Sequence, residues 1–450
     1  MQDRAYRKII NSWAMYDWAN SAFMTTVVSG MFGPFYRSMA MSTGLDKGTA
    51  SAYFAYTTAI ALLSVALLAP VLGATSDHTG GKKKFLGAFM ALGVVATALM
   101  VFLGPTSYLR GSVLFILADV GIAGSLIFYE ALLPHIAKKG DIDQVSTRGY
   151  AFGYLGGGLL LLINILWVTR PDWFFMPGKG FAVRASFFSV AVWCALFSIP
   201  LFRNVPEPPV VRVAGKRANP IRAGFARLLQ TFRRIKQYKQ LLLFLVAFWL
   251  YNDGVASVYK LATTYGDEMK IPVEHMLAAL LITQFVGIPC AFGFGWLAGR
   301  VGAKRMTLLG IGVYVPITVA GYFMYGVSSQ GMRTFFFYLL AFAVGLVQGG
   351  TQALSRSLYG VMVPKSRSTE FFGFFSTSSK FAGLIGPALF GVISQAKGSS
   401  QLSILSLIVL FIVGGVLLAF VNVEEGVRVA RSEDAAAVGQ DGAAAVGGGS

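Results

Sequence analysis

Twelve times along this chain an apolar run of about 20 residues or more returns, and no other feature narrows the fold as much. That length is what a helix needs to cross the hydrocarbon core of a bilayer. In that core every backbone N–H and C=O must be bonded within the segment, which favours helices. The runs fall at 12–36, 48–73, 85–103, 111–133, 149–168, 183–201, 241–263, 274–298, 307–325, 335–357, 371–395 and 402–421. Only 13% of the residues are charged, against roughly 25% in a soluble domain. The expectation is an all-α membrane protein with twelve transmembrane helices.

Charge gives the orientation. A formal net charge of +18 in a soluble chain would suggest nucleic acid. Here the basic residues stand between apolar runs, where they suit anionic lipid headgroups, so no nucleic-acid partner is expected. With both termini inside, the inner segments carry 27 Lys and Arg and the outer loops 9. That asymmetry predicts cytoplasmic termini. The first run lacks a cleavage pattern and reads as a retained helix.

Four regions follow: a six-helix bundle at 1–201, a basic linker at 202–240, a second bundle at 241–422, and a tail at 423–450. In the linker, Ile221, Phe225, Leu228, Leu229 and Phe232 recur at helical spacing opposite basic residues, predicting an amphipathic surface helix. The Ala/Gly-rich tail is predicted to be disordered and cytoplasmic.

Chemistry of other kinds has little support. Cys194 and Cys290 lie in apolar runs without metal-ligand spacing, and His78, His135 and His275 are scattered. There is no nucleophile–base constellation, phosphate loop or cofactor motif. An enzyme, a cofactor and a bound metal are therefore not expected.

The bundles echo each other. "MYDWANSAF" in the first run matches "LYNDGVASV" in the seventh, each with a tyrosine beside a carboxylate and an amide. "GATSDHTGGKKK" after the second run matches "GWLAGRVGAKR" after the eighth, with Gly299 standing where Asp77 does. "LLPHI" ends the fourth and "MVPKS" follows the tenth. Parallel repeats of this kind mark a transporter whose substrate site lies between the halves.

"GATSDHTGGKKK" resembles the loop of the major facilitator superfamily, with Gly73, Asp77, Gly80, Lys82 and Lys83 matching. The resemblance implies a cytoplasmic latch. Physically, Asp77 can accept bonds from a neighbouring helix N-terminus. The stretches "YDWANSAF", "LLPHIAKKGDIDQVSTRGYAFGYLGGG", "FSIPLFRNVPE", "FLVAFWLYNDGV" and "GLVQGGTQALSRSLYGVMVPKSRSTEFFGFF" are similar to the vacuole-effluxer branch, which includes fungal autophagy-related amino-acid effluxers. That branch implies transport of small solutes, with amino acids the leading class. Glu130 departs from the branch's pattern, where an amide is expected.

The superfamily's cavity is lined by helices one, four, seven and ten, and the intramembrane polar residues fall there. Helix one holds Asp17, Asn20 and Ser21; helix four holds Asp119 and Glu130; helix seven holds Asn252, Asp253 and Ser257. Helix ten carries Gln348, Gln352 and Ser355 as one stripe. A charge in hydrocarbon costs several kcal/mol and is usually functional. A substrate or proton site is therefore expected from Asp119, Glu130, Asn252, Asp253, Gln348, Gln352 and Lys380, the last near the midplane of helix eleven. Gate and latch are expected from Asp17, Asn20, Asp77, Lys82 and Lys83. Each has a structural alternative: Asp17 bonding backbone amides, the glutamines joining helices, Glu130 in an interfacial ion pair. Counted from the expected starts, Asp17 lies about 5 residues into its span and Asp253 about 12, a depth difference of about 10 Å. Gly149, Gly153, Gly156 and Gly157 form a small-residue stripe that predicts close helix packing.

The reading is a monomeric, proton-coupled transporter of a small polar solute in a bacterial inner membrane, working by alternating access. The 37 Phe and 15 Met keep open an exporter of amphipathic molecules, and a lipid transporter is the other alternative.

Overall fold

The computed structural model describes residues 2–138, 140–208, 235–381, 386 and 400–447, all helix and connection with no strand among them. Twelve helical rods run through the described residues. The first is α1 (Gln2–Ala22), which passes through a π-helical stretch, Phe23–Met31, into Phe32–Met41. Then come α2 (Lys47–Thr79), α3 (Lys82–Leu99), α4 (Tyr108–Ile136), α5 (Ile142–Thr169) and α6 (Lys179–Asn204). The second six are α7 (Lys239–Glu268), α8 (Val273–Val301), α9 (Ala303–Met324), α10 (Gln330–Met362), α11 (Ser368–Phe381) and α12 (Leu407–Phe420, preceded by Ser400–Leu405).

Among the described residues nine helices are individually long and apolar enough to cross a membrane, or ten if a bent pair counts as one span. The other rods fall short for visible reasons. The α-helical run of α1 is broken by its π segment, α11 is described only to Phe381, and α12 has 14 residues before a 61° bend.

Side chains that cannot reach water bond inside their own helix. Thr57, Thr75, Thr97, Ser186, Ser198, Thr307 and Thr318 each donate to the carbonyl four residues earlier. Large apolar side chains such as Leu67, Phe102, Phe323 and Phe420 point outward, as a lipid-facing surface requires.

Each half has its own core. One joins residues of α1–α6 around Trp13, Phe32, Phe115 and Phe128. The other joins α7–α12 around Phe244, Phe248, Tyr314 and Tyr359. The halves meet where α5 packs on α8 and α10, and where α2 packs on α11. Those contacts are related by the repeat, α2 corresponding to α8 and α11 to α5.

Two expectations change, and a third lies outside the described residues. First, α1 starts at Gln2, ten residues before its apolar run, because the polar first turns extend the helix beyond the hydrocarbon. Asp17 is then residue sixteen of α1, and Asp253 residue fifteen of α7. Counted from the helix starts the two acids stand one residue apart, whereas counted from the apolar runs they stand about seven apart. Second, the tail expected to be disordered is helix, α13 (Val423–Gly447). Alanine is the strongest helix former, and Val423, Gly426, Val427 and Ala430 recur on one covered face. Third, the amphipathic linker helix falls in 209–234, outside the described residues.

Candidate functional site

One side chain crosses from the second half deep into the first. Arg356 of α10 is 1% exposed, and every bond it makes to a side chain or carbonyl lands on α1 or α5. Its Nη1 donates to Asp17 Oδ2 at 3.1 Å. Its Nε donates to Ser146 Oγ at 2.9 Å, and its Nη2 to the Ser146 carbonyl at 2.8 Å. Ser146 returns the link by donating to the Ala353 carbonyl of α10 at 2.7 Å. The guanidinium also lies over the rings of Tyr150, Trp13 and Tyr129, at 4.5, 4.9 and 5.8 Å from their centroids. Such a cage suits the planar, weakly hydrated guanidinium better than an ammonium.

Asp17 is held from its own half as well. Tyr129 donates to Asp17 Oδ2 at 2.8 Å, and Tyr129 stacks between Trp13 and Tyr16. The glycine stripe of α5 makes room. A Cβ at Gly149 would strike Asp17 Oδ2 and come within 2.8 Å of Arg356 Nη2 and 2.9 Å of the Trp13 ring. Gly153, Gly156 and Gly157 likewise face Ser21, Trp18 and Ser21 of α1. Asn20, expected at the gate, donates to the Tyr16 carbonyl of its own helix at 2.8 Å. Glu130 is half-buried, and its charge reaches Arg356 and Tyr150.

The tyrosine of the sequence repeat does the same work twice. Tyr16 of α1 donates to Ser125 of α4 at 2.6 Å, and Tyr251 of α7 pairs with Ser355 of α10 at 2.7 Å. Beside the second pair lies an amide cluster: Gln352 Nε2 donates to Asn252 Oδ1 at 2.6 Å. One turn along α10, Gln348 Oε1 is buried and has no hydrogen-bond partner among the described residues. Asp253 is fully buried, accepting from Gly386 N at 2.7 Å and from Ser257 Oγ at 3.2 Å. Asp119 is buried in α4. The side chains of Lys380 and Lys260 lie outside what is described.

A second cross-half contact lies at the end carrying the basic loops, here called the basic end. Asp77 Oδ2 accepts from Glu370 N at 2.8 Å, in the first turn of α11. Lys82 bonds Asp77 Oδ1 and donates to Thr369 Oγ1 at 2.6 Å. A Cβ at Gly73 would overlap the Thr369 carbonyl. His135 Nε2 meets Ser368 Oγ at 3.0 Å, and Ser357 donates to Asp143 at 2.5 Å. Lys83 points elsewhere, donating to the carbonyls of Phe202 and Val205 at 2.8 and 2.6 Å. Lys304 does the same in the other half, capping α12 through Ala419 and Val421 at 2.7 and 2.8 Å. The two lysines align when Ala298, rather than Gly299, stands opposite Asp77; neither is a carboxylate.

Sequence reasoning missed Arg356. It lies at the inner end of the expected tenth run, 335–357, where it counts among the inner basic residues, and α10 carries it further inside by running to Met362. The available signal was Asp17 itself, a membrane acid that calls for a cation.

A profile described as "Vacuole effluxer Atg22 like" matches residues 5–431. The MFS-type transporter YxiO of Bacillus subtilis (strain 168) is 36% identical over 432 residues, covering 96% of this chain and 99% of its own. Autophagy-related protein 22-1 of Penicillium rubens is 24% identical over 481 residues, covering 88% of this chain and 78% of its own. Among solved structures, the proton:xylose symporter XylE aligns with a TM-score of 0.72 at 12% identity, covering 94% of this chain and 97% of its own. FucP in its outward conformation aligns at 0.66 with 12% identity, over 93% and 98%. Likeness at these identities shows the major facilitator fold.

Proposed function

The chain belongs to the vacuole-effluxer, Atg22-like family of major facilitator transporters, and from that membership we propose a proton-coupled carrier of small polar solutes, amino acids or related metabolites foremost. It is a multi-pass membrane transporter and not an enzyme. It works by alternating access, with the halves rocking about a site between them. The membrane is the bacterial inner membrane, and the basic end and both termini face the cytoplasm, in line with the 27 to 9 excess of Lys and Arg. The carrier acts as a monomer.

The observation that carries this reading is the buried Asp17–Arg356 pair spanning the halves. Removing one partner of a buried pair typically costs 3–5 kcal/mol, because the other charge is left uncompensated. A pair whose partners belong to different rigid bodies therefore sets the free energy of separating them. In this reading Asp17 and Arg356 hold the basic end shut, and the Asp77 latch adds to them. Opening becomes affordable when a bound proton or solute changes the charge balance. Asn252, Gln348 and Gln352 bind the solute's polar groups. Asp253, Asp119 and Glu130 are the proton-carrying candidates, and Lys380 receives a solute carboxylate or balances Asp253.

The test is a thermal-shift screen of purified protein against amino acids, peptides, nucleosides and organic acids, since a specific ligand raises apparent stability by mass action. Uptake of each hit into proteoliposomes follows, with and without a pH gradient. A hit that is an amino acid and is driven by the gradient supports the proposal. Hits confined to amphipathic compounds, or transport indifferent to the gradient, would overturn the substrate class or the coupling respectively.

A further inference from the structure

The helix α13 is not an idle tail. Its covered face, Val423, Gly426, Val427 and Ala430, lies against the second half, with Gly426 so close to Met362 that a Cβ would come within 2.7 Å of Sδ. Gln240 fixes its start, donating to Glu425 Oε2 at 2.7 Å and accepting from Asn422 N at 2.8 Å. Two turns further on, Asp434 spreads its carboxylate over the α10–α11 turn. Oδ2 accepts from Lys365 N at 3.0 Å, and Oδ1 from Ser366 N at 3.0 Å. Glu433 pairs with Arg367 at 3.5 Å. The next three residues, Ser368, Thr369 and Glu370, are those that meet His135, Lys82 and Asp77 of the first half.

We propose that Asp434 is a positioning residue for the gate: through Lys365 and Ser366 it fixes the turn that presents the first turn of α11 to Asp77. The proposal rests on reading the basic end as a gate. Physically, Asp77 recognises a backbone N–H and a helix dipole. Those groups point at Asp77 only while the turn before α11 keeps its shape. Two charge-assisted bonds, given by consecutive backbone N–H groups to one carboxylate, define that shape. The clamp belongs wholly to the second half, so it moves with that half and sets how well the latch engages when the halves close. Loosening α13 would therefore weaken a contact that α13 never touches.

The experiment uses full-length protein in lipid nanodiscs, with Cys194 and Cys290 replaced by alanine. Spin labels are placed at Lys84 and Arg305, exposed residues of the two halves at the basic end. Pulsed dipolar spectroscopy gives the ratio of long to short distances. Asp434→Ala is expected to raise that ratio roughly tenfold, the scale of one lost charge-assisted hydrogen bond. Asp434→Asn, which keeps one acceptor and protects against misfolding of the alanine variant, is expected to raise it about threefold. Asp77→Asn should raise it on its own, and adding Asp434→Ala to Asp77→Asn should change it little further. If Asp77→Asn shifts the ratio and neither Asp434 variant does, the clamp is wrong and the latch stands. If Asp77→Asn has no effect, the gate reading falls and the clamp with it. Additive effects of the two sites would also overturn the clamp, since they would show Asp434 acting independently of Asp77.

Discussion

The Arg356 side chain donates its hydrogen bonds to the opposite half, and that makes it the most informative single residue. Arg356→Gln leaves Asp17 buried with Tyr129 as its remaining donor and should destabilise the closed basic end by about 3–5 kcal/mol. Cysteine accessibility at that end should rise accordingly. Arg356→Lys keeps the charge but cannot hold Asp17, Ser146 Oγ and the Ser146 carbonyl together, or lie flat over Tyr150; it should rescue only part of the effect. A lysine variant indistinguishable from wild type would mean that charge alone matters and the cage does not. Asp17→Asn is expected to bind solute with nearly unchanged affinity and to transport it slowly, whereas Asp253→Asn should abolish the pH dependence of uptake. The opposite assignment of these two phenotypes would reverse the roles. Asp17 was legible from sequence as an acid in hydrocarbon, but its partner was not. Arg356 stands two residues from the end of the expected run 335–357, where a cation reads as facing the headgroups.

At the scale of elements, the repeat is executed more faithfully in the loops than in the acids. Gly81 and Gly302 both have positive φ, 78° and 97°, and each is followed two residues later by a lysine that caps the last helix of its half. Side chains rarely adopt that backbone, so Gly81→Ala and Gly302→Ala should each cost about 1 kcal/mol, read as a fall in apparent Tm. Lys83→Met and Lys304→Met each strand two carbonyls at a helix end and should cost about the same. Equal losses in the two halves would confirm that the loops are equivalent. Asp77 exists in one copy only, so latch engagement is asymmetric even where capping is not. Sequence spacing showed both loops, because glycines and lysines at fixed offsets survive without any knowledge of packing. It could not show α13: an Ala/Gly-rich stretch reads as low complexity, and its order comes from Met362, Gln240 and the turn at Lys365, far away along the chain.

For the molecule as a whole, twelve rods and two cores were readable from apolar runs, since the bilayer leaves helices few alternatives. How the halves engage was readable only at Asp77, whose loop implied a bond from a helix N-terminus; the Asp17–Arg356 pair, between residues hundreds of positions apart, was not. If the halves rock as proposed, tying Asp143 to Ser357 must stop the cycle. A double-cysteine variant at these positions, joined by a short thiol-reactive cross-linker, should lose transport and regain it on cleavage of a reducible linker. Transport by the cross-linked form would show that this end need not open. The 339-residue separation of Asp17 and Arg356 also has a consequence for biogenesis. The ribosome delivers Asp17 to the membrane long before its counter-charge exists. Until α10 arrives, the first half must carry that acid on Tyr129, on water or as the protonated form. The final docking of the second half therefore supplies a counter-charge as well as packing, and a nascent chain stalled before α10 would present quality-control machinery with a membrane acid that lacks its partner.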